Sequence, residues 1–333
     1  MTNNKMKAIV ATRYGSPDVL QLKKMDKPRP GPHEVLVKVV TSSATKADTM
    51  MRTGKPWFGR LIIGWRKPKH PIPGTGFAGI IESTGAEVSH FEKGDRVFGE
   101  TTLGFSANAE YLTIAEDGVI LHKPESLRFI EAASFCDGHL TSYVFLVKLA
   151  RVQSGQKVLI NGASGALGTA AVQIAKNLGA HVTAVCSGKN AGLVRSLGAD
   201  EVIDYQKQDF TQSQNRYEMI YDAVGKSSFR RTRKVLTKNG LYLSPVLQLS
   251  LLVQMIITTV VRRKKAKFQA VGMYADEKLR SYLSEVLKIH QKGKLKTVID
   301  RQFPLEKLAN AHRYIDTGRK KGNVVIVNTM HES

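Results

Sequence analysis

Two cysteines, Cys136 and Cys186, are all that this 333-residue chain contains. A single pair of thiols makes neither a disulfide framework nor a four-thiolate zinc site, so a reducing compartment is expected, with the cytoplasm as the first assignment. The N-terminal MTNNKMKAIV lacks the long apolar core of a secretory signal. Acidic residues are missing from Ala223 to Ala275, where 11 of the 50 lysines and arginines fall. Aromatic residues are also sparse there, with Phe229 and Phe268 beside the basic groups, so base stacking is poorly served and a nucleic-acid partner is not expected. The nine histidines form no i, i+4 pair, which leaves no histidine-based metal motif.

What the chain does have is a hydrophobic fraction of 42%, 28 dispersed glycines and a net charge of +22. Its length suggests two domains with a large core. The local basic excess is compatible with anionic lipid, with nucleic-acid phosphate or with solubility alone.

Two styles of sequence alternate. The first 126 residues are punctuated by Gly and Pro, as in PRPGPHE, HPIPGTG and FEKGDRVFG, with short β-branched runs such as Val35 to Val40, and read as a mostly β domain. Residues 127–275 alternate apolar β runs with helical patterns: VLI before ALGTAAVQIAKNLGA, HVTAVC before NAGLVRSLGA, then EVIDY, MIYDAV, LYLSPV and FQAVGM. That alternation predicts an α/β fold with a parallel sheet and crossover helices. Residues 276–333 open with an amphipathic helix carrying Leu279, Tyr282, Leu283, Val286 and Leu287 on one face, and end in NVVIV.

Between the strand VLI and an alanine-rich helix stands NGASGALG, residues 161–168. A strand, a tight glycine turn and a helix N-terminus bring backbone N–H groups up to a pyrophosphate, so Ala163, Ser164, Gly165, Ala166, Leu167 and Gly168 are expected to bind a dinucleotide. An NAD site usually places Asp or Glu at the end of the second strand, near the ribose hydroxyls. Here the strand ends in VCSGKN, with Ser187 and Lys189, and the next ends in Tyr205. A hydroxyl and an ammonium suit a 2′-phosphate, which favours NADPH. The plainer alternative makes Lys189 a solvated lysine at a helix start and Tyr205 a core or rim aromatic.

Taken in order, MKAIVATRYGSPDVLQL, EVLVKV, PGTGFAGIIESTG, FEKGDRVFG, ANAEYL, QSGQKVLINGASGALGTAAVQIAK, SLGADEVIDY, YDAVG and GNVVIV resemble the medium-chain dehydrogenases and reductases, in particular their zinc-independent quinone oxidoreductase-like branch. The resemblance covers nearly the whole chain. It implies a GroES-like mostly β substrate domain built from both chain ends, a doubly wound Rossmann domain inserted between them, an active site in the cleft, and a homodimer formed through the last Rossmann strand, Phe268 to Met273. It also implies that Thr141, in GHLTSY, and Asn323, in GNVVIV, lie near the nicotinamide. Zinc-dependent relatives carry a ligand Cys in the stretch that here reads TSSATKADT and His and Glu where this chain has Gly74-Thr75-Gly76, so no zinc is expected. Hydride addition to a quinone or an α,β-unsaturated carbonyl needs no Lewis acid for an alkoxide and becomes the expected reaction. Quinone reductases often have Asn where Thr45 stands and Tyr near Met50; neither is present, which leaves Thr45, Lys46 and Asp48 as candidates, with loop stabilisation as the alternative for Asp48.

The run NGLYLSPVLQLSLLVQMIITTVV is uncharged and followed by RRKKAK. Leu241 to Val246 fits the fifth Rossmann strand, which leaves Val246 to Val261 too short for a membrane span. A helical insertion beside the cofactor or dimer contact, or an interfacial flap on an anionic membrane, both remain open. An adaptor that keeps its cofactor without turnover is the alternative to an enzyme.

Overall fold

The computed structural model describes residues 4–260 and 263–328, so Val261 and Arg262, where the uncharged run meets its basic flank, lie outside the described residues. The chain divides into two compact units. The first comprises residues up to Asp137, Gly272–Glu285 and the chain from Thr297; the second comprises Gly138–Val271 and Val286–Lys296.

In the first unit Lys5–Val10 and Gln21–Asp26 form a separate two-stranded sheet, while strands from both halves of the chain build one mostly antiparallel sheet. The long strand Glu34–Ala44 pairs with Gly76–Thr84 on one side and with the C-terminal Asn323–Val327 on the other, where Val324 faces Ala44 and Val327 faces Thr41. Beyond these run Arg96–Glu100 and Val119–His122 at one end and Ile299–Pro304 at the other. Alternation of apolar residues gives the sheet its core: Val35, Val37 and Val39 point to one face and pack with Phe77, Ile81, Val97 and Leu112. This is the GroES-like architecture expected from the chain ends.

The second unit is a six-stranded parallel sheet in the order Glu201–Asp204, His181–Cys186, Lys157–Asn161, Tyr217–Asp222, Leu236–Ser244, Lys265–Phe268. The order reverses between Lys157–Asn161 and Tyr217–Asp222, the topological switch point at which doubly wound sheets bind ligands beyond their carboxyl ends. Leu159, Ile220, Tyr217 and Tyr242 fill the core beside it.

One expected strand lies elsewhere. The last strand is Lys265–Phe268, and Val271–Met273 forms a 3-10 turn, so the segment Phe268 to Met273 is not the sheet edge. An edge strand buries one face only. Ala266 supplies that face, while Lys265 and Lys267 alternate with it, so the strand reads as polar and its apolar neighbour reads as the strand. The run after Val246 is indeed helical, over Leu249–Val260. Among the described residues no helix is long and apolar enough to cross a membrane.

Candidate cofactor loop and buried acid group

At the switch point the chain leaves the strand Lys157–Asn161 through Gly162, turns at Gly165 and enters the helix Ala166–Asn177. Two of the three glycines are required by the protein's own packing. Gly162 has φ +81°, and a side chain there would press on Val224; a Cβ at Gly168 would lie 2.2 Å from the Gly162 carbonyl oxygen. Gly165 is different. Its backbone is extended, with φ −83° and ψ 179°, and a Cβ there would meet only the Gly162 oxygen, at 3.5 Å. The protein leaves the space in front of Gly165 open.

The loop's own donors are spent within the protein, and those of the helix start are not. Gly162 and Ala163 N–H both donate to Val185 O, and Gly165 N–H donates to Gly162 O, all at 3.0 Å. The first helical N–H groups, of Ala166, Leu167 and Gly168, have no intrahelical acceptor, and no side chain caps them. Ser164 is buried and accepts from Asn190 Nδ2 at 3.0 Å, while the buried Asn190 Oδ1 has no partner. Open space, free N–H groups and a helix N-terminus fit a pyrophosphate.

The second-strand residues gather on one rim. Tyr205 N–H donates to Cys186 O at 3.1 Å, and Asn190 N–H donates to Ser187 O at 2.8 Å. Ser187 is buried, Lys189 is exposed and Tyr205 is 60% exposed. The sequence reading missed Asp204. A Cβ on Gly188 would stand 2.5 Å from Asp204 Oδ2, so the neighbouring strand delivers a carboxylate to the loop whose own strand lacks one.

Thr141 sits half-buried in the short helix Thr141–Tyr143, flanked by π-helical turns. Its neighbour Ser142 donates to Leu167 O at 2.8 Å, which ties this helix to the glycine loop.

The other candidates belong to the first unit. Thr45 caps the helix Lys46–Thr53 and forms a reciprocal box with Asp48: Asp48 N–H donates to Thr45 Oγ1 at 3.0 Å, and Thr45 N–H donates to Asp48 Oδ2 at 2.7 Å. Asp48 is 1% exposed, and its Oδ1 has no partner. Burial pushes its carboxyl up to about 7, against the lowering effect of the Thr45 hydrogen bonds. It borders a small cavity of about 30 Å³, shared with Arg52, His70 and Phe105. Asn323 is buried too, and its side-chain amide donates to Val298 O at 3.0 Å.

Residues 31–146 match the alcohol dehydrogenase GroES-like domain family, and residues 197–326 match the family described as zinc-binding dehydrogenase. A 2-methylene-furan-3-one reductase of Solanum lycopersicum is 31% identical over 97% of this chain and 79% of its own length. The human quinone oxidoreductase is 30% identical over 94% of both chains. The chain belongs to the medium-chain dehydrogenase/reductase superfamily, in its quinone oxidoreductase-like branch. The solved quinone oxidoreductase of Coxiella burnetii superposes with a TM-score of 0.87 at 26% identity, over 98% of this chain and 100% of that one.

This medium-chain family member also holds a group of acids, with Asp48 buried and Glu100 and Asp137 half-buried, that its sequence did not announce. Burial, then Asp137 and Asp48, push the Glu100 carboxyl up to about 8. Burial raises Asp137, opposed by Lys320, and the same surroundings hold the Cys136 thiol well above its ordinary range. Gly74 and Gly76 are locked by packing: a Cβ would lie 2.5 Å from Asn108 Nδ2 at the first, and 2.5 Å from Ala133 O at the second. Among the described residues no three His, Cys, Asp or Glu side chains are grouped to hold a metal ion.

Proposed function

We propose that this protein is an NADPH-dependent oxidoreductase that reduces a quinone or an α,β-unsaturated carbonyl, with no zinc in the reaction. The open space before Gly165, facing unspent helix N–H groups, carries the reading. Ala163 to Gly168 would cradle the pyrophosphate, and Ser187, Lys189 and Tyr205 would bind the 2′-phosphate. Thr141 and Asn323 would orient the nicotinamide ring. A bound nicotinamide dinucleotide supplies the hydride.

Support for the zinc-free half comes from the donor set. Where zinc-dependent relatives place His and Glu, packing admits only glycine at Gly74 and Gly76, and Cys136 keeps its proton. Named relatives reduce quinones and enones without that lending this chain a particular substrate; the exposed Trp57 and Trp65 and the half-buried Phe58, with the Phe58 and Trp65 ring centroids 6.1 and 6.5 Å from that of Trp57, favour an apolar one. Of Thr45 and Asp48, the latter has the proton affinity for acid catalysis near neutral pH, because a carboxyl with pKa about 7 is still partly protonated there. Thr45 serves by fixing Asp48 Oδ2 and leaving Oδ1 free.

The test follows NADPH and NADH oxidation against quinones, enones and simple aldehydes in the presence of EDTA. Turnover of quinones or enones with NADPH preferred is expected. Tight NADPH binding without turnover of any acceptor would replace the enzyme with a cofactor-retaining adaptor.

A further inference from the structure

The helix Leu249–Val260 of the second unit has two unlike faces. Inward, Leu251 joins the core of Tyr242, Leu236 and Phe229, Thr258 Oγ1 accepts from Ala266 N–H at 3.2 Å, and Met255 Sδ accepts from Phe268 N–H at 3.1 Å. The helix is therefore held firmly by its own unit. Outward, Leu249, Val253, Ile256, Ile257 and Val260 follow one helical stripe and are 66%, 45%, 72%, 49% and 81% exposed. No charged residue lies in the helix to relieve this stripe. Contiguous exposed aliphatic groups of this kind mark contact surfaces.

Charge gathers beside it. Four residues after Val260, Lys264 Nζ donates to Arg233 O at 2.6 Å and Leu236 O at 2.8 Å. Four residues of chain reach at most about 14 Å, so the stripe's C-terminal end is close to Lys264. Lys264 itself lines a shallow surface depression of about 570 Å³ with Arg230, Arg231, Arg233 and Lys234. Asp209 pairs with Arg231 at 3.0 Å, while residues 223–275 bring no acid of their own.

We propose that this face seats the protein on an anionic lipid bilayer, with the aliphatic stripe among the upper acyl chains and the basic cluster against the headgroups. A 12-residue helix is about 18 Å long, short of the roughly 30 Å hydrocarbon core, so it lies in the interface. A lipid surface supplies both complements, apolar and anionic. A second copy of this chain supplies one, since it brings only the same aliphatic stripe and the same basic cluster. Nucleic-acid phosphates would satisfy the cluster and leave the aliphatic stripe in water. The proposal stands independently of the proposed reaction.

Flotation of the full chain with vesicles of phosphatidylcholine, and of phosphatidylcholine mixed equally with phosphatidylglycerol, tests it. Binding to the mixed vesicles alone is expected, weakened by salt and reduced at least about tenfold both in Ile256→Ser/Ile257→Ser/Val260→Ser and in Arg230→Gln/Arg233→Gln, with unchanged melting temperatures. Failure to float with the mixed vesicles would overturn it. So would binding that survives the three serine substitutions, or a dimer in size-exclusion chromatography that those substitutions dissociate. An oligonucleotide bound equally by the parent and serine variants, with no flotation, would move the basic cluster to a nucleic-acid role and also overturn it.

Discussion

Asn161 Nδ2 donates a 2.8 Å hydrogen bond to Asp222 Oδ1, joining the ends of the two strands that flank the switch point. Asp222 is wholly buried and accepts three further bonds, from Gly225 N–H at 3.0 Å, Ser227 N–H at 2.8 Å and the Tyr242 hydroxyl at 2.8 Å. The glycine loop thus leaves from a strand end held by a carboxylate whose oxygens are fully used.

Replacing that carboxylate with an amide would set an NH2 group against donors. The NH2 group faces the two donors of one oxygen, and each buried donor left unpaired costs about 1–3 kcal/mol, so Asp222→Asn should lose at least about 2 kcal/mol of stability. Urea denaturation checks this. A loss below about 1 kcal/mol would mean that Asp222 is not the hub of the switch point.

The 2′-phosphate reading makes a directional prediction. Removing one charge-assisted hydrogen bond costs about 1.5–3 kcal/mol, so Lys189→Ala should lower kcat/KM for NADPH by about tenfold or more and leave NADH nearly unchanged. Asp204→Asn should move the ratio the other way, because it removes the carboxylate beside Gly188. Equal losses with both cofactors in Lys189→Ala would refute the phosphate contact.

Asp48 gives stability a defined pH dependence. Its folded pKa, about 7, lies above the ordinary carboxylate value of 3.8, so its contribution is fully present below that value and is lost as pH rises through 7. Glu100 acts in the same direction up to about 8. Buried His312 opposes them: burial lowers it to about 3, and the stability tied to its neutral form is present above 6.5 and declines as pH falls below that. Asp48→Asn should therefore gain stability relative to the parent between pH 5 and pH 8, read from denaturation midpoints. A difference that stays constant across that range would contradict the buried, proton-holding state.

The box around Asp48 is testable separately. Thr45→Ala removes an N-cap acceptor and should cost about 1 kcal/mol in thermal or chemical unfolding. If Asp48 also supplies a proton, Asp48→Asn should lower kcat most at acid pH and leave NADPH affinity intact. A kcat profile parallel to the parent's would confine Asp48 to capping.

What the sequence made legible was local. Strand, glycine turn and helix follow one another over residues 157–177, and each element's period is visible without tertiary knowledge. The amphipathic helix reads equally well, with Leu279, Leu283 and Val286 all fully buried. Features made by distant segments were hidden. Asp204 reaches the Gly188 loop from the next strand, and Glu100, Asp137 and Asp48 come together only when sheet and helix fold. Lys265–Phe268 was hidden for another reason, since an edge strand needs one apolar face and its lysines masked the pattern.

The most direct test of the account is NADPH titration of Gly165→Val beside the parent. The protein's own atoms leave that Cβ position open and φ there suits any residue, so the variant should unfold within about 1 kcal/mol of the parent yet bind NADPH at least about tenfold more weakly. Unchanged NADPH affinity in a folded variant would show that the loop does not hold the dinucleotide.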